Sequence, residues 1–500
     1  MNVSAISARL SLRSWSPPRL RPVLHLISRM LIVLAAAMLV PALADLATRD
    51  PDWKSFLLGS AVTLVCGTGL YYVTRCRLSG GLTIRQAFVL TPVAYVTLCL
   101  FAALPLYISD YSQLRDNFTN AFFETMSGLT TTGASVIVGL DNAPAGLLLW
   151  RALLQWLGGI GVIGVAIAIL PTLGVGGMQL FRTESSDRSE KVMPRVREIA
   201  TAITFVYIGL TVACGLLYWV AGMTAFEALT HALTTVSTAG FSTSDQSMSN
   251  FGHTAQWVAV AFMLAGSLPF VLYVRFIQGE WNILRSSQVK TLLGFLGVVV
   301  VGMTAWLVMS GRYAFGDAFR LAAFNVVSIV TTTGFATTDY NLWGNVAIGI
   351  FFGLTFVGGC TGSTSGGIKI FRFEVVSILL RGYLRQLIYP KGVFQRVYAG
   401  RLLPDEVVVS VVVFFAVFFM CYSGLTILLM AMDLDFLTSA SAAVSTLANV
   451  GPGLGPTIGP VGNFATLPDA AKWLLSFGML MGRLELFTVL VLFYPQFWRG

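Results

Sequence analysis

Apolar stretches with few charges, each about 20 residues or longer, recur along the whole chain and constrain its fold more than any other feature. They fall near 29–48, 55–75, 84–108, 145–171, 198–221, 254–277, 289–309, 343–373, 405–432 and 470–498. Each is long enough to cross a ~30 Å hydrocarbon layer as a helix. Of the 500 residues, 56% are hydrophobic and 11% are charged, which is more apolar surface than a soluble core can hide. The fold expected is an all-α polytopic membrane protein of about ten spans. Between some spans lie helix-like pieces too short to cross, near 117–129, 225–236, 317–330 and 436–447.

Lys and Arg crowd into alternate loops: Arg9, Arg13, Arg19, Arg21 and Arg29; Arg75, Arg77 and Arg85; Arg182, Arg188, Lys191, Arg195 and Arg197; Arg275, Arg285 and Lys290; Lys369, Arg372, Arg381, Arg385, Lys391, Arg396 and Arg401; and Arg499. The positive-inside rule makes that side cytoplasmic, and an even number of spans leaves both termini there. The other side keeps few cations (Arg151 among them) and an acidic excess that includes Asp110, Asp116, Asp141, Asp245, Asp339 and Asp469. An acidic entrance concentrates cations. The net charge of +9 therefore reflects topology and not a nucleic-acid partner. The basic N-terminus followed by "ALAD" (42–45) resembles a signal peptide, but its basic region is long for one, so a retained first helix is expected. The six cysteines form no CxxC pair, which excludes a zinc, redox or disulfide framework. His25, His231 and His253 show no metal spacing, and His231 is expected to be a hydrogen-bonded residue of a short helix.

Four polar strings follow the four short pieces: "TTTGAS" (130–135), "STAGFS" (237–242), "TTTGFA" (331–336) and "ANVGPG" (448–453). Their glycines, Gly133, Gly240, Gly334 and Gly451, recur at intervals of roughly a hundred residues, as one structural unit used four times would. Six positions before each glycine stands a small hydroxyl residue: Ser127, Thr234, Ser328 or Ser445. Each unit reads as long helix, short helix, polar string, long helix. Non-helical backbone at membrane depth is tolerated where protein buries it or it lines a water-filled path. Four such strings around one axis would ring a central pore with backbone carbonyls, which can replace the hydration shell of a cation. The candidate ion-binding residues are Thr131, Thr132 and Gly133; Thr238, Ala239 and Gly240; Thr332, Thr333 and Gly334; and Asn449, Val450 and Gly451. The competing reading of one such string is a small-residue helix-packing motif.

A second constellation is "GGCTGSTSGGIK" (358–369), which interrupts the apolar run 343–373. Its five glycines make a continuous helix unfavourable, so a loop obstructing the path below the third string is expected. Its candidate gate residues are Gly358, Gly359, Gly362, Ser363, Thr364, Gly366, Gly367 and Lys369, where Lys369 is either a gate residue or an anchor at the cytoplasmic boundary. Arg483 in "MGRLELFTVL" (481–490) lies near the bilayer centre, where an ionised residue is a functional candidate. Facing the pore it would repel cations and bond the loop's carbonyls. Glu485, two positions on, points to another helix face and is not expected to pair with it.

With these motifs and "WRALLQWLGGIGVIGVAIAILPTLGVGGMQLFR" (150–182), the chain resembles the membrane subunit of Trk-type bacterial potassium uptake systems, in the Trk/Ktr/HKT superfamily. The resemblance runs over nearly the whole length. It implies four pseudo-repeats of helix–pore-loop–helix, preceded by an additional pair of transmembrane helices. The corresponding division is 1–80 for the basic N-terminus and extra pair, 81–182, 183–288 and 289–374 for the first three repeats, 375–404 for a cytoplasmic connecting segment, and 405–500 for the fourth repeat. It implies an intramembrane gating loop, a pore arginine, a bacterial inner-membrane location, a homodimer in lipid, and a separate TrkA-like nucleotide-binding ring protein as regulator. That partner is expected on the basic segment 369–401 and the loop 182–198. Nucleotide would act only through it. Glycine at all four string positions implies K⁺ as the transported ion, whereas serine at the first would imply Na⁺. The fourth string departs most, with Asn449 and Val450 in place of threonines.

The alternatives are a sodium-permeating member or an H⁺- or Na⁺-coupled symporter, and more remotely a membrane-embedded enzyme. "GGIGVIG" (158–164) matches a dinucleotide fingerprint in letters, but no strand precedes it, and "GSTSGGIK" is no Walker string.

Overall fold

A computed structural model describes residues 20–75, 82–168, 192–279 and 286–499. The basic residues of 1–19 and of 182–191 lie outside these, as do Arg77 and Arg285. Among the described residues the only strands are a two-residue hairpin, β1 (Val397–Tyr398) and β2 (Arg401–Leu402); the rest of the regular structure is helical.

The first helix, α1 (Arg21–Thr48), starts eight residues before the expected span because Pro22 suits a first turn. It packs along α2 (Trp53–Thr74). Contact is close because a Cβ on Gly67 would lie 3.1 Å from that of Leu31, and the Ser60 hydroxyl donates to the Ala35 carbonyl at 2.7 Å.

Four units follow. The first is α3 (Ile84–Ile108), α4 (Phe118–Leu129) and α5 (Ala145–Ala168). The second is α6 (Val192–Val220), α7 (Ala225–Val236), α8 (His253–Ser267) and α9 (Phe270–Ile277). The third is α10 (Ser287–Met309), α11 (Phe315–Val330), α12 (Asn345–Leu354) and α13 (Ile370–Ile388). The fourth is α14 (Asp405–Met430), α15 (Phe436–Ala448), α16 (Asp469–Arg483) and α17 (Leu486–Leu490), and α18 (Pro495–Arg499) ends the chain.

Three of the short helices are fixed at their start by a side-chain cap. Asn117 accepts from Asn120 N, Thr224 forms a capping box with Glu227, and Asp435 accepts from Thr438 N. With 12 to 16 residues none can cross a bilayer.

Among the described residues six helices are long and apolar enough to span, and eight if each of two bent pairs counts as one span. Two expected single spans are thus broken. The run 254–277 turns by 93° between α8 and α9, where Pro269 ends the helix, and 470–498 turns by 113° between α16 and α17. Of the remaining expected spans, α5 leaves the described residues at 168, and 343–373 is a ten-residue helix, a loop and α13.

The molecule is apolar outside: Val65, Tyr72, Val73, Phe205, Val220, Val298 and Met420 are exposed. Among the described residues two large apolar clusters hold most of it together. One joins the first and fourth units and α1, through residues such as Leu31, Cys99, Trp150, Ala443 and Met479. The other joins the second and third, through Tyr207, Met263, Phe324 and Phe351.

Candidate functional site

All four short helices end in the same backbone turn. The N–H just before each string glycine donates five residues back: Thr132 to Ser127 O at 2.8 Å, Ala239 to Thr234 O at 3.0 Å, Thr333 to Ser328 O at 2.8 Å and Val450 to Ser445 O at 2.9 Å. A second bond runs from Thr131 to Gly128 O, Thr238 to Thr235 O, Thr332 to Ile329 O and Asn449 to Thr446 O. This paired closure requires a left-handed residue, for which glycine or asparagine is usual. Here Thr131, Thr238, Thr332 and Asn449 supply it, with φ of 53°, 49°, 57° and 53°. Three β-branched residues held at positive φ are strained, and such strain collects at functional sites.

The glycines place the strings against each other. A Cβ on Gly133 would strike the Ala239 carbonyl oxygen, one on Gly240 that of Thr333, one on Gly334 that of Val450, and one on Gly451 that of Thr132. Each glycine abuts the carbonyl preceding the next string's glycine, and the fourth returns to the first. Segments roughly a hundred residues apart therefore close into a ring. The other string residues named above are buried, whereas Gly133, Gly240 and Gly334 are half-buried. The site offers carbonyl oxygens and the negative ends of four helices, the chemistry that suits a weakly hydrated cation.

Side chains lock the ring from behind. The Thr130 and Thr132 hydroxyls lie 2.8 Å apart, and those of Thr331 and Thr333 lie 2.9 Å apart. The Asn449 amide donates to Thr132 Oγ1 and to the Met479 carbonyl, both at 2.9 Å. His231 Nδ1 is 2.9 Å from the Glu227 carbonyl and Nε2 is 3.1 Å from Ser242 Oγ.

The loop 358–369 packs against the strings where the short helices end. Thr364 Oγ1 bonds the Gly266 carbonyl at 2.9 Å and meets Thr238 Oγ1 at 3.0 Å. Gly366 N donates to Thr332 Oγ1 at 2.6 Å, and Gly367 N to the Ala448 carbonyl at 2.8 Å. Gly358 N donates to Ile368 O, and Gly359 N to Ser365 Oγ at 2.9 Å, so the two limbs of the loop pair. The Gly362 carbonyl accepts from Phe270 N and Cys360 N donates to Ser267 O, which satisfies the backbone freed where α8 breaks. Ser363 turns its hydroxyl back to the Cys360 carbonyl at 2.7 Å, and Lys369 Nζ donates to the Ser365 carbonyl. Arg483, buried, donates to the Thr364 carbonyl at 2.8 Å and to the Gly158 carbonyl of α5 at 3.4 Å. The loop thus touches three strings, and Arg483 bridges it to the helix after the first.

Several charged or polar groups, most of them buried, depart from the sequence reading or are not marked in it. Arg151, assigned to the outer loops, is buried in an ion pair with Glu124 at 2.7 Å. The same guanidinium lies 4.1 Å from the Phe241 ring and donates to the Ser242 carbonyl. Gln155 donates to the Ala239 carbonyl at 2.7 Å and accepts from Phe241 N at 3.0 Å, bracketing Gly240. Arg372, assigned to the cytoplasmic loops, is buried and pairs with Glu485, which a helix continued past Arg483 would have pointed elsewhere. Polar residues on an apolar helix face were the available signal.

The family model of the TrkH cation transport proteins matches residues 53–311 and 298–499. The chain is 48% identical over 492 residues to the Trk system potassium uptake protein TrkI of Halomonas elongata, covering 98% of each. It is 36% identical over 488 residues to the Trk system potassium uptake protein TrkH of Vibrio parahaemolyticus, covering 96% of this chain and 99% of that one. The crystal structure of the potassium transporter TrkH from Vibrio parahaemolyticus superimposes with a TM-score of 0.88 at 35% identity, over 96% of this chain and all of that one.

Proposed function

This chain belongs to the TrkH family of membrane cation transport proteins, a transport family and not an enzyme family, and from that premise we propose that it takes up potassium ions across the bacterial inner membrane through the ring of four strings. The observation that carries the reading is ring closure: four glycines, each abutting the carbonyl before the next. A ring of neutral oxygens dehydrates K⁺ at lower cost than the smaller, more strongly hydrated Na⁺. The ion ligands are the backbone oxygens of the twelve string residues. The threonine side chains serve the scaffold, consistent with the bonds they make to one another and to the loop.

The loop 358–369 and Arg483 form the gate. Their support is position: the loop bonds three of the four strings, and the Arg483 guanidinium joins it to α5. A fixed positive charge there opposes passage of a cation. A homodimer with both termini cytoplasmic, controlled by a nucleotide-binding ring protein docked on the basic segment 369–401, completes the proposal. It rests on family membership and on the clustering of Arg381, Arg385, Lys391, Arg396 and Arg401.

Reversal potentials of the purified protein in liposomes under opposed K⁺, Na⁺ and H⁺ gradients test the reading. A potential that follows the K⁺ gradient is expected, and one that follows Na⁺ or pH overturns it. Arg483→Ala is expected to raise K⁺ leak with the K⁺/Na⁺ preference kept. An unchanged leak removes Arg483 from the gate.

A further inference from the structure

Bordering the loop and Arg483 is a cavity lined by Gly362, Gly366, Lys369, Arg372, Phe414 and Glu485, among others. Arg372 and Glu485 form an ion pair across it. Arg372 is 2% exposed and its guanidinium lies 3.6 Å from the centre of the Phe414 ring. It stands three residues after Lys369, in the first turn of α13, so it is nearly continuous with the loop. Glu485 stands two residues after Arg483, at the 113° break between α16 and α17, with φ of 60°. A non-glycine residue persists in that backbone conformation only when its surroundings hold it there.

The two partners thus belong to the two chain segments that carry the gate, which are more than a hundred residues apart in sequence. Arg483 itself donates to the loop at the Thr364 carbonyl. The ion pair links opposite charges on the two segments, and removing Glu485 leaves the buried Arg372 charge uncompensated.

We propose that Arg372 and Glu485 are positioning residues: together they form a latch that holds the loop and Arg483 in register across the path, so that the path conducts only when the pair separates. This rests on the loop and Arg483 being the gate. Among the described residues neither latch side chain bonds a string, so the latch sets how much passes and not which ion passes.

The test is K⁺ flux into liposomes containing the full-length chain without its partner, with the K⁺/Na⁺ ratio measured in parallel. Arg372→Gln and Glu485→Gln are each expected to raise K⁺ flux by about tenfold or more, at an unchanged ratio. The swap Arg372→Glu with Glu485→Arg is expected to return flux to near the parent level. Arg372→Lys, which keeps the charge but loses the planar stack on Phe414, is expected to fall between. A purely structural pair would lower flux or alter the ratio, and the swap would not rescue it. If a single neutral variant gives no folded protein, the swap and Arg372→Lys still decide: parent-like flux in the swap with raised flux in the lysine variant supports the latch, and any other pattern overturns it. If the latch variants leave flux unchanged while Arg483→Ala raises it, the latch is wrong and the gate stands. If Arg483→Ala also leaves it unchanged, the gate reading itself has failed.

Discussion

Gln155 shows what a single buried side chain can do to the ring. Its amide bonds the Ala239 carbonyl and the Phe241 N–H, the groups on either side of Gly240. Replacing it with leucine leaves two buried backbone groups unpaired, at about 1–3 kcal/mol each. Gly240 would then be held chiefly by its approach to the Thr333 carbonyl. The second string should relax, and with it the spacing of the oxygens. Gln155→Leu is therefore expected to lower the K⁺/Na⁺ permeability ratio several-fold in liposome flux. An unchanged ratio would mean that the ring holds its shape without the brace. The strings themselves are legible in the sequence because they are spelled alike at a fixed offset from a hydroxyl residue. Gln155 is not, because its partners lie more than 80 residues away. Its spacing of four from Arg151, which places both on one helix face, is the trace it leaves.

Among the elements, the sequence marks the short helices almost to the residue. The pieces expected at 117–129 and 225–236 are observed at Phe118–Leu129 and Ala225–Val236. Their polar caps and the strings after them are local signals. The bends at Pro269 and Glu485 are not legible in hydropathy, which records that a segment is apolar, not which way it runs. The proline was a hint for the first. The second depends on a left-handed glutamate whose partner, Arg372, is remote in sequence. Caps also make elements testable. The Asp435 carboxylate accepts from Thr438 N at 3.0 Å and starts α15, whose other end carries the fourth string. Asp435→Ala is expected to cost about 1 kcal/mol, and Asp435→Asn, which keeps an acceptor, much less. Denaturant unfolding in detergent, followed by circular dichroism, would read the difference. Equal loss in both variants would show that charge, and not the cap bond, matters there.

For the whole molecule, ring closure means that the last unit must be held against the first without any chain connection between them. Asn449 bonds Thr132 at 2.9 Å, Phe464 N donates to the Ser135 carbonyl at 2.8 Å, and Lys472 Nζ donates to Asn120 Oδ1 at 2.8 Å. The apolar cluster shared by the first and fourth units surrounds these contacts. On its other side the fourth unit meets the third through Gly367 N to the Ala448 carbonyl at 2.8 Å and through Arg372 to Glu485. The covalent link at 375–404 is by contrast exposed along most of its length, and Val393 is 94% exposed. Backbone exposed in this way tolerates interruption. If packing, and not the link, holds the fourth quarter in place, a chain divided after Val393 and expressed as two fragments should co-purify through a tag on either one. Reconstituted together, the fragments should carry K⁺ with the parent K⁺/Na⁺ ratio, and neither should do so alone. Fragments that fail to associate would show that the connecting segment is needed to assemble the ring. Fragments that associate and conduct with a lower ratio would show that the segment also sets the fit of the fourth string, the one spelled least like the others.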